Sequence, residues 1–427
     1  VVACHSNAFG RTALELVNER QVVYPTFDGL TGITAAIALD MPFEGSESDA
    51  VTLVPKAQTP FTFGGKVSLR GQLWTPQKDG YDLASGYCVL AIPGNITFKD
   101  GFDLSSLRRL QFMIARDTTL RIEGDVSRVS CRSDYLVSSP DSSPTDVRFY
   151  PSSGGKIDWG MTAVAELACR FVVKEKTTNA SNIFAPQVTL RLCRDDGILP
   201  TGYYMPYVNS RAQSRGLCMG AMDLNGHDLS LKGFDSTSVL ENVGTGFVEY
   251  PDAYYSVTSE APATLSFNLK NSEKNTYTVP YRFTGAAGLA SGGDWASTLF
   301  MTNVHSTATG DVSVASGVIR FGGGAGWAGE STVSVSGTGT VQVDPGAWGF
   351  SGDRNGRKCR SNVTLAFPEE NKGTLRLNGD CEVAALFVNG VELPTGTYTA
   401  ATLTPYLAGP GTLTVCGKNL GTVLILR

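Results

Sequence analysis

One short phrase recurs in the second half of this 427-residue chain, and it limits what the chain can fold into. It reads Gly310-Asp311-Val312-Ser313-Val314, Gly339-Thr340-Val341-Gln342-Val343, Gly373-Thr374-Leu375-Arg376-Leu377 and Gly411-Thr412-Leu413-Thr414-Val415. Glycine opens each copy, and apolar residues then alternate with other side chains. Successive side chains of a strand point to opposite faces, so each copy is a strand with one apolar face. The first apolar residues, 312, 341, 375 and 413, are 29, 34 and 38 positions apart. Recurrence on a scale of roughly 20–50 residues marks stacked repeats. One such unit cannot bury its apolar face alone, and stacking makes a continuous core. The phrase predicts an all-β chain whose residues 211–427 form a β-solenoid, a right-handed parallel β-helix.

A second phrase supports this. Met222-Asp223-Leu224-Asn225-Gly226-His227-Asp228-Leu229-Ser230-Leu231 places an Asn-Gly turn between two alternating runs. Asn and Gly both tolerate positive φ, so the pair reads as a hairpin turn. An echo follows at Leu375-Arg376-Leu377-Asn378-Gly379-Asp380, where Asp380 holds the place of His227. Another follows at Leu386-Phe387-Val388-Asn389-Gly390. The apolar residue and the turn are shared, and the imidazole is not.

Residues 31–210 read as short strands separated by turn clusters, which fits either a β-sandwich or an irregular solenoid. Leu104 to Ile114 and Met161 to Val173 read equally as helix or buried strand, because short apolar runs do not discriminate. Residues 1–30 form an N-terminal extension. Its run Thr12-Ala13-Leu14-Glu15-Leu16-Val17 reads as a short helix or an alternating strand, and as a strand it either pairs within its own domain or contacts another element or another chain.

Charged residues make up 18% of the chain, and 48 residues are glycine. That balance suits an extended β surface. The net charge is −5, with no basic cluster, which excludes an electrostatic footprint for nucleic acid. No apolar run reaches the length of a membrane helix. The nine cysteines show no CxxC pair, which argues against zinc. They read either as buried apolar residues or as disulfides of an exported protein. The chain opens Val1-Val2-Ala3, which fits a mature exported protein whose signal peptide has been removed.

Residues 222–267 resemble the autotransporter-associated β-strand repeat of large exported bacterial proteins. The likeness is carried by Leu224-Asn225-Gly226-His227-Asp228-Leu229, Leu231-Lys232-Gly233-Phe234, Gly244-Thr245-Gly246-Phe247-Val248 and Ala261-Pro262-Ala263-Thr264-Leu265-Ser266-Phe267. The stretch from Leu386 to Tyr398 looks like the closing phrase of such an array. The resemblance implies a secreted or surface-exposed β-helix. It implies no active site.

Candidate chemistry is sparse. Arg194-Asp195-Asp196-Gly197 with Gly226-His227-Asp228 superficially matches β-helical polysaccharide hydrolases, whose two carboxyl groups face one another. The rest of that signature is missing. Asp353-Arg354-Asn355-Gly356 starts like a calcium loop but continues into basic residues, with no closing Glu. The histidines, His5, His227 and His305, are too scattered to suggest a triad or a metal site. We therefore expect no catalytic residue, no metal and no cofactor. The candidate glycan contacts are Tyr203, Tyr204, Tyr207 and Arg211, with Trp327 as an aromatic platform. Trp327, like Trp348, reads otherwise as a core side chain.

The expected function is that of an exported, non-catalytic structural protein of the bacterial cell surface or an extracellular fibre. Its partner would be a second copy of itself, as homopolymer or homo-oligomer, or a surface glycan. The alternative is a carbohydrate-active β-helix protein, a polysaccharide lyase, hydrolase or glycan-binding module.

Overall fold

The computed structural model describes residues 14–17, 26–27, 30–41, 51–53, 56–57, 60–71, 87–104, 109–128, 146–151, 163–169, 171–173, 182–195, 203–206, 216–231, 256–268, 276–279, 281–303, 306–323, 325, 327, 331–347, 363–370 and 372–417. These residues are strands and turns, with no helix among them. In particular, none is long and apolar enough to cross a membrane. They fall into two compact units. One holds residues 1–223 with 235–250, and the other holds 224–234 with 251–427.

In the first unit three parallel ladders run side by side. One joins Gly32–Ile33, Phe61–Phe63, Ile96–Phe98, Thr119–Ile122, Val164–Leu167 and residues 189–192. A second joins Leu14–Val17, Ile37–Met41, Val67–Gly71, Phe102–Asp103, Val126–Arg128 and Phe171–Val173. A third joins Val51–Leu53, Tyr87–Ile92, Arg109–Ile114, Asp146–Pro151 and residues 182–184. The chain visits the ladders in turn, then returns to the first one position along. A β-sandwich is assembled from antiparallel strands, so these parallel pairings replace that expectation.

The alternation seen in the sequence is the physical cause of this arrangement. A parallel sheet covered on both faces reads as continuous apolar runs. Here only every second residue is buried, as in Thr119–Ile122 and Val164–Leu167. One face of each ladder is therefore solvated and the other turns inward. Both ambiguous stretches resolve as strands, Arg109–Ile114 in one and Val164–Leu167 with Phe171–Val173 in the other.

Phenylalanines fill the interior of this unit. Phe98, Phe102 and Phe112 come from three successive strands, one on each ladder. Their rings meet with centroids 4.6 Å (Phe98 to Phe102) and 5.5 Å (Phe102 to Phe112) apart. The three ladders thus face one common core. In-register neighbours also stack, Phe63 on Phe98 at 4.8 Å and Phe112 on Phe149 at 5.2 Å. Such pairs contribute about 0.5–1.5 kcal/mol beyond their area burial.

The second unit repeats the scheme. One ladder joins Leu229–Ser230, residues 263–267, residues 287–291, Val312–Val314, Thr332–Val335, Thr364–Phe367 and Ala385–Val388. Another joins Thr276–Val279, Thr298–Met301, Val318–Phe321, Thr340–Val343, Thr374–Leu377 and Leu407–Ala408. Cys381–Val383 pairs with Leu413–Val415 in a third. Leu289, Val312, Val333 and Leu365 stack in register and are buried, as are Leu299, Ile319, Val341 and Leu375.

Among the described residues two antiparallel pairs sit at the last rungs. Val391–Glu392 turns back on Ala385–Val388, and Gly396–Tyr398 lies against Leu413–Val415.

The recurring phrase is distributed differently from its spacing. Val341 does sit beside Leu375. Val312, however, has Val333 as its register partner, and Leu413 has Cys381. The four copies occupy three ladders, so the steps of 29 and 38 are not ladder steps. The Asn225-Gly226 turn is also not a hairpin. Asn225 and Gly226 take φ of 51° and 80°, and the His227 amide donates to the Leu224 carbonyl at 2.8 Å. The strand that follows, Leu229–Ser230, then runs parallel to 265–266.

Candidate functional site

Outward positions of the first ladder in the first unit carry a column of alternating charge. Arg121, Glu166 and Arg191 are register neighbours, and Arg191 is in turn opposite Asp223. Adjacent parallel strands lie about 4.8 Å apart, which suits a guanidinium reaching a carboxylate on the next rung. Arg121 Nη1 donates to Glu166 Oε2 at 3.0 Å, and Arg191 Nη1 to Glu166 Oε1 at 3.1 Å. Arg191 Nε donates to Asp223 Oδ2 at 2.8 Å, and Arg121 Nε to Glu123 Oε1 at 2.9 Å. Glu166 and Asp223 are the sheltered members, 19% and 12% exposed, against 36% for each arginine and for Glu123. Hydrogen bonds donated to Glu123 and Glu166 raise the Arg121 pKa, and bonds donated to Asp223 and Glu166 raise that of Arg191, each against the cost of burial.

Cys193 lies beside this column, with its Sγ 3.5 Å from Arg121 Nη1. Burial and the nearby Glu166 carboxylate push its thiol up, and the two arginines offset this only in part. A reactive thiol needs the opposite balance. Cys169 is fully buried, and its thiol is pushed up to about 12. Cys381 is likewise buried and raised. These three are free thiols, whereas Cys416 is disulfide-bonded.

The second unit has a smaller charged knot. Arg320 donates to Asp344 Oδ2 from Nε at 2.9 Å and lies within 2.7 Å of it through Nη2. Asn378 Nδ2 donates to Oδ1 of the same carboxylate at 2.8 Å. The knot therefore links three successive rungs. Burial would raise the Asp344 pKa, but the bonds from Arg320, Asn378 and Gln342 outweigh it and hold the carboxyl below its usual value. Arg320 also covers the Phe300 ring, with its guanidinium carbon 4.5 Å from the centroid.

A third device repeats at the corners. An Asp or Asn immediately before a strand accepts a hydrogen bond from the backbone of a threonine on the next coil. Asn95 Oδ1 accepts from Thr119 N at 2.9 Å, Asp228 from Thr264 N at 2.8 Å, Asp311 from Thr332 N at 2.8 Å and Asp380 from Thr412 N at 3.0 Å. Asp380 thus corresponds to Asp228 and not to His227, so the echo of the second phrase is one residue shorter than its sequence alignment suggests.

The residues singled out from the sequence fare differently. Trp327 is 0% exposed and cannot stack on a sugar from outside. Its Nε1 donates to the Gly310 carbonyl at 2.6 Å, and its ring packs on Phe283 and Phe321 at 5.0 and 6.5 Å. It is a core side chain. Tyr203 and Tyr204 lie in Tyr203–Pro206, which pairs parallel with residues 216–219. Tyr207, Arg211, Trp348, His5, His305 and the 353–356 loop lie outside the described residues. Among the described residues no group of three or more His, Cys, Asp or Glu side chains could hold a metal ion.

What this arrangement does chemically is hold register. Each carboxylate of the column and the knot is already engaged by arginine or amide donors. The sequence carried one signal for the column that spacing alone did not expose, a polar position of alternating sign on consecutive rungs. No protein family, curated protein or solved structure matches this chain.

Proposed function

We propose that this chain is an exported, non-catalytic structural protein of a bacterial surface or extracellular fibre, built as right-handed parallel β-solenoids. The observation that carries the reading is the column Arg121–Glu166–Arg191–Asp223, in which outward charged side chains are engaged with one another across coils. Groups that would serve a substrate in an enzyme serve the stacking of coils here. The right hand follows from the general chirality of crossovers between parallel strands. The disulfide at Cys416 supports an oxidising compartment. The likeness of 222–267 to the autotransporter-associated repeat points the same way. Self-association or attachment to a surface glycan is the role such a scaffold would perform.

The test is electron microscopy and light scattering of the purified chain, with a parallel screen of uronic-acid and neutral polysaccharides for new reducing ends or unsaturated products. Ordered assemblies or glycan retention without turnover support the reading. Turnover of any of these polysaccharides overturns it.

A further inference from the structure

We propose that residues 385–415 form an edge guard that keeps a second copy of the chain from adding strands to the last described rungs of the second unit. The inference is independent of the function proposed above, since a carbohydrate-acting solenoid would need the same protection. A parallel ladder ends in a strand whose free N–H and C=O groups are a template for another chain. A second copy continuing the ladders would have to lay parallel strands on Ala385–Val388, Leu407–Ala408 and Leu413–Val415.

Each of these positions is altered. On Ala385–Val388 the edge is taken by Val391–Glu392, running antiparallel. On Leu413–Val415 an edge is taken by Gly396–Tyr398, also antiparallel. Both covering strands belong to one excursion, residues 389–398. The new edges are poor templates. Val391–Glu392 is two residues long, carries a charge and is followed at Pro394 by a residue with no amide hydrogen. Among the described residues the remaining ladder ends on Leu407–Ala408, two residues followed by Gly409 and Pro410. These are the devices by which natural sheets blunt their edges.

The excursion is held firmly. Asn389 and Gly390 take φ of 52° and 76°, the left-handed pair of a two-residue hairpin. Leu393 N donates to the Leu386 carbonyl at 2.8 Å, and Tyr398 Oη donates to the Pro394 carbonyl at 2.8 Å. Asn389 Nδ2 donates to Tyr406 Oη at 3.4 Å, and the Tyr406 ring packs on Phe367 with centroids 5.0 Å apart.

The first test uses Val391→Cys in the full chain, at a position 64% exposed in the wild type. Alkylation with iodoacetamide at high protein concentration, mapped by peptide mass, is expected to go to completion at residue 391. Protection that disappears on dilution would mean that a second copy sits on this edge, and would overturn the proposal. The second test opens the guard with Asn389→Val and Gly390→Val together, which force β-branched side chains into positive φ. A native far-UV spectrum with a concentration-dependent rise in light-scattering mass over wild type is expected. A native spectrum with wild-type mass overturns the guard. Should that pair lose the native spectrum, Glu392→Thr with Pro394→Thr lengthens and neutralises the edge without disturbing the turn. The same rise in mass is then expected, and its absence overturns the proposal.

Discussion

The indole of Trp327 both fills the interior beside Phe283 and Phe321 and gives its proton to the Gly310 carbonyl. Trp327→Ala is expected to cost about 3–5 kcal/mol of unfolding free energy, read from urea denaturation. Trp327→Phe keeps an aromatic ring and leaves the carbonyl without its partner, so part of that loss should return. Asp344 is a residue whose effect depends on pH. Its folded pKa is lowered below 3.8, so the stability from its ionised contacts is complete above that value. It is lost as pH falls through the lowered folded value. Asp344→Asn should therefore destabilise by about 1.5–3 kcal/mol near neutrality, the range for bonds to a charged group. The gap between the two proteins should close as the pH drops below the usual carboxylate range, and thermal melts at stepped pH measure it.

At the scale of elements, one dipeptide serves three ends. Asn225-Gly226 makes a corner between parallel strands, and Asn389-Gly390 makes a hairpin. Asn378-Gly379 has neither residue at positive φ, and Asn378 spends its amide on Asp344. The turn propensity was plain in the sequence, but the partner of the next strand was not. That partner lies a full coil away, and no local residue names it. The alternation of buried and solvated positions was likewise legible, and from it the all-β class. The parallel pairing of 31–210 was not, because a half-buried strand alternates in the same way whichever direction its neighbour runs. Trp327 illustrates the limit for sites. Its type fits a core and a sugar platform equally, and only the depth of its neighbours decides. The corner acceptors were written plainly as an Asp or Asn before an apolar run, yet their role needed the threonine of the next coil. Asp380→Ala is expected to cost about 1 kcal/mol by leaving the Thr412 amide and hydroxyl without their acceptor. Asp380→Asn, which keeps an acceptor oxygen, should restore most of it in the same denaturation series.

For the molecule as a whole, each unit behaves as a stack in which a coil touches mainly its neighbours. Excising one complete coil of the second unit should then leave the rest in register. The step from Val312 to its partner Val333 is 21 residues. Removing 312–332 places Val333 where Val312 stood, and the far-UV spectrum should persist with a lower melting temperature. Removing 313–332 instead turns Ser334 inward and Val333 outward, and should abolish cooperative melting. The alternating column of the first unit carries a consequence for how the chain reaches its native state. A coil that skips its neighbour and docks one rung too far sets Arg121 against Arg191 and Glu166 against Asp223. Like charges then meet, and the misassembled intermediate is penalised while the correct one is not. The column is in effect a parity check read during folding. Glu166→Lys removes the check, and its refolding yield from denaturant should fall further below wild type than its native-state stability alone accounts for.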